Sequence, residues 1–245
     1  MAIYHLRLGM VQRSKGQSVV AVAADRARVR LHDERLDQAM VPLPAKRGTA
    51  PVFSAVLLPD GAPAAYLDRG TLWNAVVAGE RRHDAGVARE VEFALPCELT
   101  QEQSVALACE YVQAAFVSDG MMADVNVHWA VREDGQPKPY AQVLLTCRRF
   151  GPEGFGLKER AWNDRATALG WRRLWAEMAN ACLAAHGHAA RIDHRSHAER
   201  GIVLEPQNKI GPNAARRARR GEGSERVAEH AAIARRNAER ATQAR

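Results

Sequence analysis

Short runs that alternate apolar and polar residues are separated along the chain by runs with helical spacing. Residues 2–9 alternate, with Tyr4, Leu6 and Leu8 on one side and Ile3, His5 and Arg7 on the other. This predicts a strand, broken by Gly9 and the RSKGQS stretch. Ser18 is a capping residue before a helix over 18–31, where Val20, Ala24, Ala27 and Leu31 share a face. Residues 32–50 read as irregular, and 52–58 as a strand stopped by Pro59-Asp60-Gly61. A helix is expected over 66–82 and a strand over 89–95, where Val91, Phe93 and Leu95 alternate with Glu90 and Glu92. The next helix, 101–117, carries Val105, Cys109, Val112 and Phe116 on one stripe.

Residues 122–130 and 140–148 both alternate and are joined by a polar loop containing Asp134-Gly135, the pattern of an antiparallel hairpin. Val125, Val127 and Trp129 would be buried with Ala141, Val143, Leu145 and Cys147. The opposite face would show Asn126, His128, Tyr140, Gln142 and Thr146, a polar floor suited to a site. A long helix over 163–185 presents Trp171, Leu174, Trp175, Met178 and Cys182 to the core. Strands mixed with helices, and a late hairpin, predict an α+β domain with a mainly antiparallel sheet.

Composition adds one division. With 47% hydrophobic and 26% charged residues, the 245-residue chain is globular in character. Its net charge of +7 is uneven, because residues 214–245 hold nine arginines against four glutamates. A nearly neutral domain over 1–213 and a basic, helical, Ala/Arg-rich tail over 214–245 are therefore expected. No apolar run approaches the about 18 residues of a membrane span. Cys97, Cys109, Cys147 and Cys182 are scattered without a CxxC pair, and the N-terminus lacks a secretory pattern. Both point to reduced thiols and a cytoplasmic location.

Several chemistries are disfavoured. No glycine-rich phosphate loop precedes a helix, and no Ser or Cys has a recognisable base partner at fixed spacing. The histidines of 186–197 lack the i, i+4 helical spacing of a zinc protease and read better as turn hydrogen-bonders. Trp73, Trp129, Trp162, Trp171 and Trp175 fall mainly on apolar stripes, so they are expected in the core.

Several strings carry a family resemblance: MAIYHL, then RSKGQS before the Ala-rich helix, LLPDGAP, LWNAV, VAREVEFALP followed by ELT, and the LLT-R strand. A further run contains RIDHRS, GI and EP in order. Together they span about residues 1–213 and resemble the MobA/MobL family of plasmid relaxases. The resemblance implies a five-stranded antiparallel sheet with flanking helices, in a protein that nicks one DNA strand at a transfer origin. It also implies a nucleophilic tyrosine in the Ala-rich helix and a divalent metal such as Mg or Mn held by three histidines.

At those positions this sequence departs from the family. Asp25 stands at the nucleophile position, in Ala23-Ala24-Asp25-Arg26. Tyr140 and Gln142 occupy the His-x-His positions, His128 alone remains of the ligands, and Lys209 stands where the family often carries a histidine. A phenol and an amide are poor divalent-metal ligands, so no cofactor is expected. The resulting expectation is a degenerate relaxase that binds single-stranded or hairpin origin DNA without nicking it. Arg26, Arg28 and Arg30 of the first helix, with Arg216, Arg217, Arg219 and Arg220 of the tail, are the candidate phosphate contacts. Two alternatives stand beside it: altered phosphodiester chemistry using Asp25, His128 and Tyr140, or an interaction module or remnant that partners an intact relaxase.

Overall fold

A computed structural model describes residues 3–43, 50–132, 134–207 and 210–243; Lys209 lies outside them. The chain divides into two compact units between His194 and Arg195. In order, the first contains β1 (Leu6–Gln12), α1 (Val19–Ala27), β2 (Leu31–Asp33), β3 (Gln38–Met40), β4 (Phe53–Leu57), α2 (Arg69–Ala78) and β5 (Gly86–Ala94). It continues with α3 (Gln101–Ala115), β6 (Ala123–Val131), β7 (Pro137–Thr146), β8 (Arg148–Gly151), β9 (Gly154–Lys158) and α4 (Arg165–Ala185). No helix among the described residues is long and apolar enough to cross a membrane.

Five strands form one sheet in the order β1-β5-β7-β6-β4, and its four pairings are all antiparallel. Period-two alternation divides it into two faces. Val91, Phe93, Val125, Val127, Val143 and Leu145 pack against α3 and α4, where Phe93, Tyr111 and Trp175 form an aromatic cluster. On the other face Val11, Val56, Ala88 and Leu144 pack against Val19, Val20 and Ala23 of α1 and Leu72, Trp73 and Val76 of α2. The mainly antiparallel α+β architecture is as the alternation predicts, and so is the hairpin's buried face from Val125 to Leu145, but Trp129, expected in the core, is only half-buried near the end of β6.

Several local expectations change. β1 runs through Gly9 to Gln12 because β5 pairs with it throughout; a Cβ on Gly9 would lie 3.0 Å from Glu90 Oε2. α1 starts as expected, with Ser18 Oγ accepting from the Ala21 N–H at 3.1 Å. It stops at Ala27, where Arg28 adopts a left-handed φ of 58°. Leu31 consequently begins β2, and Arg28 and Arg30 are not helical residues. The small hairpins β2–β3 and β8–β9 were not expected from the alternation.

α3 begins with a Thr100/Gln103 capping box. It turns Leu107, Ala108, Tyr111 and Val112 inward rather than the stripe through Val105 and Cys109. Packing Tyr111 between Phe93 and Trp175 buries more apolar area than Cys109 could. Thr146 leaves the polar floor: it is fully buried, and its Oγ accepts from the Met122 N–H at 3.1 Å.

The second unit contains α5 (Pro212–Arg219) and α6 (Glu225–Gln243), so the expected helical tail is present. The unit begins earlier than residue 214 because Glu205 is bound into it. Arg236 and Arg240 reach the Glu205 carboxylate at 2.7 and 2.8 Å, and Asn237 hydrogen-bonds its backbone.

One buried carboxylate ties the sheet to α2. Asp124 is fully buried and accepts from Arg69 Nε at 2.7 Å, Trp73 Nε1 at 2.9 Å and Asn126 Nδ2 at 3.0 Å. Asp124→Ala would strand the Arg69 guanidinium and the Trp73 indole N–H, at a cost of about 3 kcal/mol. Urea unfolding checks this; a loss below about 1 kcal/mol would show that water or rearrangement replaces the carboxylate.

Candidate functional site

The uncovered part of the α1/α2 face is built on β5, β7 and β6. Register places His128 opposite Tyr140, Asn126 opposite Gln142, and Gln142 opposite Glu92. The expected floor is present in part: His128, Tyr140 and Gln142 share it, whereas Asn126 is fully buried and bonded to Asp124 and Ser54. The His128 and Tyr140 rings stack with centroids 4.8 Å apart and planes at 13°. Gln142 Nε2 donates to Glu92 Oε2 at 3.0 Å, while His5 Nε2 lies 3.6 Å from Glu92 Oε1.

The electrostatics follow from burial and these partners. His128 is 7% exposed and its Nε2 has no hydrogen-bond partner. Burial, reinforced by Arg26 and Arg28, pushes its pKa down and favours the neutral ring. Burial pushes the Tyr140 phenol up, with Glu92 adding to the effect. Burial also acts to raise Glu92, but the Gln142 hydrogen bond and His5 outweigh it and hold the carboxyl below its usual range.

α1 brings Asp25 and Arg26 to the edge of this floor. Arg26 forms an ion pair with Glu90 and donates to the Val143 carbonyl at 3.4 Å. Its side chain is 12% exposed, and burial lowers its pKa against the pull of Glu90 and Asp124. It is a braced structural cation rather than an open phosphate contact. Asp25 Oδ1 accepts from Arg28 Nη1 and from the Leu43 N–H, both at 2.9 Å. Arg30 is exposed and lies beyond α1.

The tail arginines lie in the second unit, on α5 and at its C-terminal cap. Arg216, Arg217, Arg219 and Arg220 are all exposed, and Arg217 is 3.4 Å from Glu222. Alternation marked Glu90 and Glu92 as charged positions opposite the apolar face, but not their pairing with Arg26 and Gln142. Nothing local in the sequence signalled that Leu43 reaches Asp25.

The implied divalent metal does not fit this donor set. Tyr140 is a phenol held protonated, and the Gln142 amide is committed to Glu92. Among the described residues no group of three or more His, Cys, Asp or Glu side chains could hold a metal ion.

Comparison with known proteins places this sheet and its helices in the relaxase fold. A conjugative relaxase, TrwC, solved in complex with its transfer-origin DNA in a metal-bound form, superposes with a TM-score of 0.51. Identity is 10%, over 94% of this chain and 96% of that one. A structure described as the molecular basis of vancomycin resistance transfer in Staphylococcus aureus gives a TM-score of 0.72 at 29% identity. It covers 80% of this chain and 100% of that one.

The sequence narrows the class: the profile of the MobA/MobL family matches residues 17–220, and the chain belongs to that family. Mobilization protein MobL of Acidithiobacillus ferridurans is 40% identical over 92% of this chain. Mobilization protein A of Escherichia coli is 33% identical over 87%. The chain spans 66% of the length of the first and 30% of the second.

The observed register gives a direct test of the metal argument. The wild-type protein should show no saturable Mn²⁺ or Zn²⁺ binding at this floor by calorimetry. Tyr140→His with Gln142→His should create one site per chain, because both positions face the same side as His128. A double variant without a site would show that the side chains do not converge.

Proposed function

We propose that this chain binds single-stranded or hairpin DNA of a transfer origin and does not cut it. The supporting observation is that the family's nucleophile position carries Asp25, whose carboxylate is engaged by Arg28 and the Leu43 N–H. A carboxylate approaching a phosphodiester meets like charge, and the acyl phosphate it would form is lost to water. No strand would then be retained for rejoining. The altered-chemistry alternative gains nothing from Tyr140, whose phenol is raised by burial and whose ring lies flat against His128.

In this reading Arg28 and Arg30 meet phosphates beside the sheet, and Arg216, Arg217, Arg219 and Arg220 add contacts from the second unit. Arg26 braces the floor. The protein acts in the cytoplasm as an accessory of mobilisation, and an intact relaxase does the cutting. The neighbour TrwC, solved with a DNA comprising its recognition hairpin and cleavage site, motivates the choice of DNA probe.

Incubation with transfer-origin single strands and Mg²⁺ or Mn²⁺ should give a salt-sensitive complex and no denaturant-resistant adduct. Asp25→Tyr alone should not change that, because the metal donors are still missing. A covalent band from the wild-type protein would overturn the reading. Each phosphate neutralised on a single strand contributes about −0.7 to the slope of log K against log salt. Replacing the four α5-region arginines by Gln should therefore flatten that slope by about 3. An unchanged slope would remove them from the interface.

A further inference from the structure

The contact between Asp25, Arg28 and Leu43 is unusual in what it holds. Arg28 Nη1 donates to Asp25 Oδ1 at 2.9 Å and to the Leu43 carbonyl at 2.7 Å. Asp25 Oδ1 also accepts from the Leu43 N–H at 2.9 Å. Both polar groups of one peptide residue are thus captured by one ion pair, as an antiparallel strand would capture them.

The sequence prepares Leu43 for this. It lies between Pro42 and Pro44. A residue preceding proline is confined to extended backbone, where its N–H and C=O point to the same side. Arg28 is prepared at a cost, since its φ of 58° is a region that L side chains rarely adopt. Packing adds little to the strap, because Val41 and Leu43 are 66% and 69% exposed. It is held by the polar clasp.

The clasp lies beside the floor. The charges of Asp25 and Arg28 act on His128, and that of Arg28 acts on Tyr140. At this floor His128 Nε2 is buried without a hydrogen-bond partner.

We propose that residues 41–43 are an autoinhibitory strap: Asp25 positions Arg28 on the Leu43 peptide, and an entering DNA phosphate replaces the Leu43 carbonyl as the acceptor. This rests on the DNA-binding reading above. The exchange favours a phosphodiester because an anionic oxygen is a stronger acceptor for a guanidinium than a neutral carbonyl. Asp25 is then a positioning residue, and the site of the lost nucleophile has become the hinge of a gate.

Leu43 has the only backbone N–H between residues 42 and 44, so its hydrogen exchange reports the clasp alone. In wild type this amide should be protected, and fluorescein-labelled oligothymidine should deprotect it on binding. Leu43→Pro removes the donated hydrogen without altering any charge. It should tighten oligothymidine binding about fivefold by raising the open population. Asp25→Ala should deprotect Leu43 while leaving the melting temperature of the first unit unchanged, a separation that a merely structural contact would not give.

Protection unchanged at saturating oligothymidine, with Leu43→Pro binding as wild type does, would overturn the strap while leaving DNA binding intact. Failure of wild type and both variants to bind any single strand would overturn the strap and the DNA-binding reading together.

Discussion

The pairing of β6 with β7 sets Val125 across from Val143 and His128 across from Tyr140, and the rest of the first unit depends on it. Side chains alternate across a sheet, so a slip of one residue would send the valines to the polar floor and the imidazole into the aromatic core. Helices then cover what each face offers. α3 and α4 bury the fully apolar side, whereas α1 and α2 bury only the part around Ala88 and Leu144. The remaining part keeps Tyr140, Gln142 and Glu92 near solvent, and that remainder is the candidate site.

The site's charges are mutually compensated. Arg26 is matched by Glu90 and Arg28 by Asp25, while Glu92 accepts from the Gln142 amide and lies beside His5. A floor organised around a metal would have its polar atoms converging on one point. Here they are spent pairwise, leaving His128 Nε2 without a partner. The residues present form their own hydrogen-bonded network.

Family membership and fold agree with the sequence reading. The motifs that carried the resemblance lie at structural positions: LWNAV supplies Trp73 to the Asp124 network, and LLT supplies Leu144 and Thr146 beneath α2. In both strings the named residues fill defined contacts.

Sequence alone determined the alternation of β6 and β7, the apolar face of their hairpin from Val125 to Leu145, and the capped start of α1. Those features are local, set by side-chain period and by hydrogen bonds spanning three or four residues. Tertiary structure decided what the left-handed cap residue Arg28 holds, since its side chain reaches the Leu43 peptide. It also decided which α3 stripe is buried, because Tyr111 has Phe93 and Trp175 to pack against. It turned Arg26 from an expected phosphate contact into a brace, through Glu90 on a strand distant in sequence. In each case the deciding partner is remote along the chain, and a local pattern carries no record of which remote group will be within reach of a hydrogen bond or a ring face.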